Sequence, residues 1–212
     1  MQSSLPEAAN HAVHQTRARA ARAGNCGRQR ARARGAIQLI ATMSDASLRE
    51  FLIGEVLSFV RNACHCPGVS RIVLVGSLAT PKANPKDADV LVTVADDADL
   101  TSLATAGRRL KGRAQSRNSG ADIFLANPSG EYIGRICHWR ECRPFVRASC
   151  DARHCGRRAF LHDDLDDVSL GSRLVREPPL ELWPNVIRRV EVPADIESLL
   201  LRALVTRGVK GE

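Results

Sequence analysis

From Leu48 onward the apolar positions recur at helical spacing. Leu48, Phe51, Leu52, Val56, Phe59 and Val60 share one face, which predicts an amphipathic helix running to about Asn62. Ser47, with Glu50 three positions later, forms a capping box for its start, and Pro67-Gly68 punctuates its end. The period then changes. Arg71 to Gly76 encloses a short apolar run rich in β-branched residues, the signature of a buried strand. A polar loop with Pro81 and Pro85 follows, and the run from Ala88 to Val94 predicts a second strand. From about Asp99 to Ala114 the pattern is helical again, with Arg108, Arg109, Lys111 and Arg113 gathered toward the end where a helix dipole favours cations. Ala121 to Ala126 predicts a third strand, closed by Asn127-Pro128-Ser129-Gly130.

Beyond residue 131 the texture changes. Tyr132 to Cys155 is short-stranded, cysteine-rich and basic; an acidic stretch follows from Asp163 to Asp167, then Pro-rich turns. Ile196, Leu199, Leu200, Ala203 and Leu204 mark an amphipathic C-terminal helix that packs on the core or on a partner. The expected fold is α+β: a small mixed β-sheet with helices packed on it, plus a β-rich cysteine-containing extension. The expected organisation is a leader over 1–42, a core over 43–130, and a Cys-rich lobe with C-terminal extension over 131–212.

Composition refines this. At 212 residues and 44% hydrophobic the chain holds one medium domain, or one domain with an appendage. Aromatics at 4% supply a stacking platform for single-stranded nucleic acid poorly. No apolar run approaches the ~18–20 residues of a membrane span, so a soluble, cytoplasmic protein without a membrane partner is expected. The net charge of +8 suggests nucleic acid until its distribution is read: residues 1–42 hold seven arginines and one acid, which leaves only +2 for the rest. That Ala/Arg-rich leader suits an over-extended start ahead of Met43, a disordered nucleic-acid-binding arm, or a transit-like peptide.

The candidate chemistry lies between the first strands. An apolar strand runs into Gly76-Ser77, and nine residues later Asp87-Ala88-Asp89 opens the next strand. Acids at i and i+2 project from one strand face and repel unless a cation lies between them. Oxygen pairs of this kind suit Mg²⁺, and a glycine and a serine let backbone and hydroxyl approach a phosphate. Asp122 opens the third strand, 33 residues after Asp89, and reaches the same place if that strand pairs with the second.

Gly76-Ser77, the nine-residue gap, Asp87-Ala88-Asp89 and the later Asp122 together resemble the DNA-polymerase-β-like nucleotidyltransferase superfamily, in particular its minimal bacterial members. The match spans roughly residues 47–127. It implies transfer of a nucleoside monophosphate from an NTP to a hydroxyl acceptor on a small molecule, an RNA end or a protein side chain. It implies that Gly76 and Ser77 hold the phosphates, that Asp87 and Asp89 bind two Mg²⁺ ions, and that Asp122 completes the ion at the acceptor hydroxyl. A helical partner protein is also compatible with it. Ala79-Thr80-Pro81 stands where many minimal members have Arg-Gly; Lys82 and Lys86 offer the missing positive charge, unless both are merely solvated.

Cys137-x4-Cys142 and Cys150-x4-Cys155 form matching pairs that suit a structural Zn²⁺ site closed by four thiolates, or else packed free cysteines. The arginines around them (Arg135, Arg140, Arg143, Arg147, Arg153, Arg157, Arg158) offer a polyanion-binding lobe, or a solvated face balanced by Asp163 to Asp167. Cys64-His65-Cys66 has too few neighbouring ligands for a site of its own. Gly-x-Ser-x-Gly is absent, so a serine hydrolase has no support. The competing functional class is a catalytically silent, zinc-containing nucleic-acid-binding module.

Overall fold

The computed structural model describes residues 48–137 and 158–206, all within the unit Ser44–Glu212. The leader and the stretch with Cys142, Cys150, Cys155 and most of the arginines around them lie outside the described residues. Helix α1 (residues 48–63) leads into β1 (Val69–Val75), a 3-10 turn at Ser77–Ala79 and β2 (Asp89–Val94). Helix α2 (Thr101–Gln115), β3 (Ile123–Ala126), β4 (Tyr132–Ile136) and β5 (Leu161–His162) follow. The chain continues through α3 (Ser172–Arg176), β6 (Leu180–Trp183), β7 (Ile187–Arg188) and a helical segment α4 (194–206), π-helical over Ile196–Leu201.

The strands form one mixed seven-stranded sheet in the order β5-β4-β3-β2-β1-β6-β7. Every neighbouring pair is antiparallel except β2–β3, and that parallel pair needs a crossover, which α2 supplies. Alternation sorts the side chains. Ile72, Leu74, Val90, Val92, Ile123 and Leu125 share one core with Leu52, Val56 and Phe59 of α1, Leu103 and Leu110 of α2, and Ile196 and Leu200 of α4. Val73, Val75, Leu91 and Ala126 face the other way, onto Val175 of α3. Cover on both faces is why the central strands read as unbroken apolar runs. Gly107 sets the closeness of α2: a Cβ there would stand 2.8 Å from Ile123 Cγ1.

The expected cysteine-containing extension begins after residue 131. Its described strands join the same sheet, β4 and β5 beyond β3, β6 and β7 beyond β1. A three-stranded core would leave the edges of β1 and β3 with unpaired backbone groups, and these later strands cover both. The C-terminal segment packs on the core, with Ile196, Leu200, Leu201 and Leu204 buried, while Leu199 and Val205 are exposed. No helix among the described residues is long and apolar enough to cross a membrane.

Candidate active site

At one edge of the sheet β1 ends while β2 and β3 begin, and the candidate side chains gather there. Val75 pairs with Asp89 across β1–β2, Val90 with Ile123 across β2–β3, and Asp87 bridges Gly120 in the same parallel register. The Ala88 amide donates to Gly120 O and the Val90 amide to Asp122 O, both at 3.0 Å. Asp89 thus lies beside Asp122 and two residues on from Asp87. By strand alternation these acids share the face of Val75 and Leu91, opposite to α1 and α2.

Two glycines make room for the carboxylates. Gly76 has φ +71°, which an L side chain rarely adopts, and a Cβ there would stand 2.6 Å from Asp89 Oδ2. A Cβ on Gly120 would stand 2.2 Å from Asp87 Oδ1. Burial first, then the negative charges of Asp122 and Asp87, push the Asp89 carboxyl up to about 6, against the opposing pull of the Asp122 backbone and Lys111. Among the described residues, burial and the neighbouring acids thus outweigh the Lys111 charge at Asp89.

Asp122 is supplied. Its Oδ1 accepts from Lys111 Nζ at 2.9 Å and from Arg135 Nη1 at 3.4 Å. Arg135 is itself fixed, because its Nε donates to Asp164 Oδ2 at 3.0 Å, and the other oxygen of Asp164 accepts the Tyr132 hydroxyl at 2.7 Å. The Asp164 side chain is only 4% exposed. Burial, and then donation to Asp164, raises the Tyr132 hydroxyl far above its ordinary value, so Tyr132 stays a donor. Pulling Arg135 away would strand a buried carboxylate, a loss of about 3–5 kcal/mol.

Gly76 and Ser77 begin the turn that follows β1, and Thr80 closes it through its amide and hydroxyl onto Ser77 O. Lys82 and Lys86 are exposed on the loop, and neither ammonium forms an ion pair among the described residues. Their carbonyls are what the fold uses. Lys86 O accepts the Gly120 amide at 3.0 Å, which sets Asp87 beside β3. Lys82 O accepts Arg49 Nη1 at 3.0 Å, and Leu78 O accepts Arg49 Nη2 at 3.3 Å. Arg49 also forks onto both oxygens of Asp195 at the start of α4. Burial alone would raise the Asp195 carboxyl, but the Arg49 hydrogen bonds and the Ile196 amide hold it below its usual range. One buried arginine thus ties the loop after Gly76 to α1 and α4.

Sequence reasoning missed Lys111, Arg135, Asp164, Gly120 and Arg49. Ser119-Gly120 just before a strand was a usable signal for a close backbone approach. The other four carry no local signal.

Of the four expected zinc ligands, only Cys137 lies among the described residues. It is buried and disulfide-bonded, and its Sγ accepts from Arg108 Nη2 at 3.2 Å. A sulfur in a disulfide is not a thiolate ligand, so zinc binding by Cys137 requires its reduction first. Cys64 and Cys66 are free; burial raises both thiols, and each donates to a carbonyl of α1.

No protein-family model, no curated protein and no solved structure matches this chain. The chemistry of the site therefore rests on its own geometry. Among the described residues no group of three or more histidine, cysteine, aspartate or glutamate side chains is gathered to hold a metal ion. The donor set nevertheless fits one divalent cation at Asp87 and Asp89, which form no ion pair among the described residues and whose carboxylate oxygens two glycines clear. An ion at Asp122 would share its carboxylate with Lys111 and Arg135, which both donate to Oδ1.

Proposed function

We propose that this chain is a metal-dependent nucleotidyltransferase with a nucleotidyltransferase-like fold. The observation that carries the reading is the Asp89 carboxylate, crowded by Asp87 and Asp122 at a strand edge and pressed against a positive-φ glycine. The antiparallel β1–β2 pair, leading through α2 into a parallel β3 with acids where β2 and β3 begin, supports the fold. Crowded carboxylates repel a phosphate unless a cation is held among them, and so have no use in a site that only binds polyanions.

Asp87 and Asp89 are the residues that would hold Mg²⁺, which when bound neutralises the triphosphate and acidifies the attacking hydroxyl. The Gly76-Ser77 turn, with no Cβ at its first position, admits the phosphates against backbone amides. The acceptor oxygen forms its bond to Pα while the bond from Pα to the bridging oxygen breaks. The electron pair of that bond leaves with pyrophosphate. The hydroxyl proton passes to a carboxylate of the cluster or to water. Arg49 keeps the turn in place during these events through the Leu78 and Lys82 carbonyls.

The test is release of pyrophosphate and labelling of an acceptor when the protein is incubated with each α-labelled NTP, Mg²⁺ and cell extract. Turnover that vanishes in Asp89→Asn is the expected result. No turnover with any NTP, or turnover unchanged in Asp89→Asn, refutes the reading. The silent nucleic-acid-binding alternative draws on one observation, the closed pairing of Asp122 with Lys111 and Arg135, and the same assay separates the two.

A further inference from the structure

We propose, on the nucleotidyltransferase reading of the site, that Lys111 takes the place of a second divalent cation. The site then holds one metal ion, at Asp87 and Asp89, and a fixed ammonium at Asp122.

The Asp122 carboxylate is the natural third ligand by register, since it lies beside Asp89, yet Oδ1 already accepts from two cations. Both are largely withdrawn from water, Lys111 with 20% and Arg135 with 19% of the side chain exposed. Arg135 is tied by its Nε to Asp164, and Asp164 is locked by Tyr132. Lys111 rises from the last turns of α2, a helix pressed against β3 at Gly107. A divalent ion entering at Asp122 would meet an ammonium and a guanidinium on the same carboxylate. Repulsion of like charges in a part-buried site makes that position the worst at the strand edge for a metal.

Charge balance agrees. Among the described residues, the four carboxylates of Asp87, Asp89, Asp122 and Asp164 stand against the two cations Lys111 and Arg135, a balance that one divalent ion would neutralise. Asp122 is then a positioning residue for Lys111 and not a metal ligand. The ammonium, a compact point charge, would add its positive charge to that of the ion for an anionic substrate.

The experiment counts ions in the full-length protein. Mn²⁺ replaces Mg²⁺, α,β-methylene-ATP or its GTP counterpart replaces the substrate, and electron paramagnetic resonance reads the metal environment. The expected result is one Mn²⁺ per chain with an isolated six-line signal. Lys111→Met should weaken analogue binding by roughly tenfold or more, and Lys111→Arg should recover most of it. A spin-coupled Mn²⁺ pair in the wild type overturns the one-ion proposal and leaves the nucleotidyltransferase reading standing. No Mn²⁺ bound by the wild type overturns that reading as well. Should Lys111→Met fail to fold, the wild-type ion count still decides.

Discussion

Replacing Asp89 by Asn should stabilise the protein at neutral pH while abolishing its activity. In the wild type the carboxyl is pushed up to about 6 from 3.8, so the folded state binds its proton more tightly than the unfolded state does. Stability therefore falls as pH rises from about 4 to about 6 and is flat above that window. Taken whole, the displacement corresponds to about 3 kcal/mol. Solvent reaching the part-exposed carboxylate screens it, which leaves about 1–2 kcal/mol. Asparagine keeps an acceptor for the Asp122 amide and removes only the charge. Urea unfolding across this pH range is the assay. Asp89→Asn should exceed the wild type by about 1–2 kcal/mol at neutrality, with the difference closing near pH 4. Mg²⁺ should work in the opposite sense. Above pH ~6, an ion present at ten times its Kd adds about 1.4 kcal/mol to the wild type and nothing to the variant. A variant no more stable than the wild type at neutral pH, or one equally stabilised by Mg²⁺, would refute the crowded-carboxylate argument.

Three further substitutions probe the supports of the site. Gly76→Ala puts a side chain on a positive-φ residue against Asp89 Oδ2; a loss of about 1–3 kcal/mol in urea unfolding, together with loss of Mn²⁺ binding, is expected. Asp164→Ala leaves Tyr132 and Arg135 without their shared acceptor; it should cost about 2–4 kcal/mol and, by releasing Arg135, weaken nucleotide-analogue binding in a fluorescence titration. Arg49→Met should cost about 2–4 kcal/mol near neutrality and speed proteolysis of the 77–86 loop. Because Arg49 holds Asp195 below its usual range, that stabilisation is present above pH ~4 and is lost as pH falls, so the two proteins should converge in acid.

The sequence discloses faces more readily than pairings. Helix α1 and strands β1 to β3 were legible because Leu52, Val56 and Phe59 keep helical spacing and Val90 to Val94 form a strand buried on both faces. Strands β5 and β7 are two residues long, too short for any period to register. The neighbourhood of Asp89 and Asp122 was legible for a different reason. Asp122 stands 33 positions after Asp89, the same interval as between the register partners Val90 and Ile123, which a strand–helix–strand unit of that length imposes.

What escaped is the charge that answers those acids. Lys111 is sufficiently explained as a cation near a helix C-terminus, Arg135 as one of a basic run, and Asp164 as one of an acidic run. Each local explanation is adequate, so nothing in the sequence demands another. Yet the three meet, since β4 lies antiparallel to β3 and brings Arg135 opposite Phe124, within reach of Asp122. Asp164 comes from 29 residues further along to a place that water hardly reaches. A residue in a charged run is solvated by default, because burying it costs several kcal/mol unless a partner of opposite sign is buried with it. The partner decides, and the partner is chosen by strand order. Asp87, Asp89 and Asp122 are thus written in local spacing, whereas Lys111, Arg135 and Asp164 are written in topology.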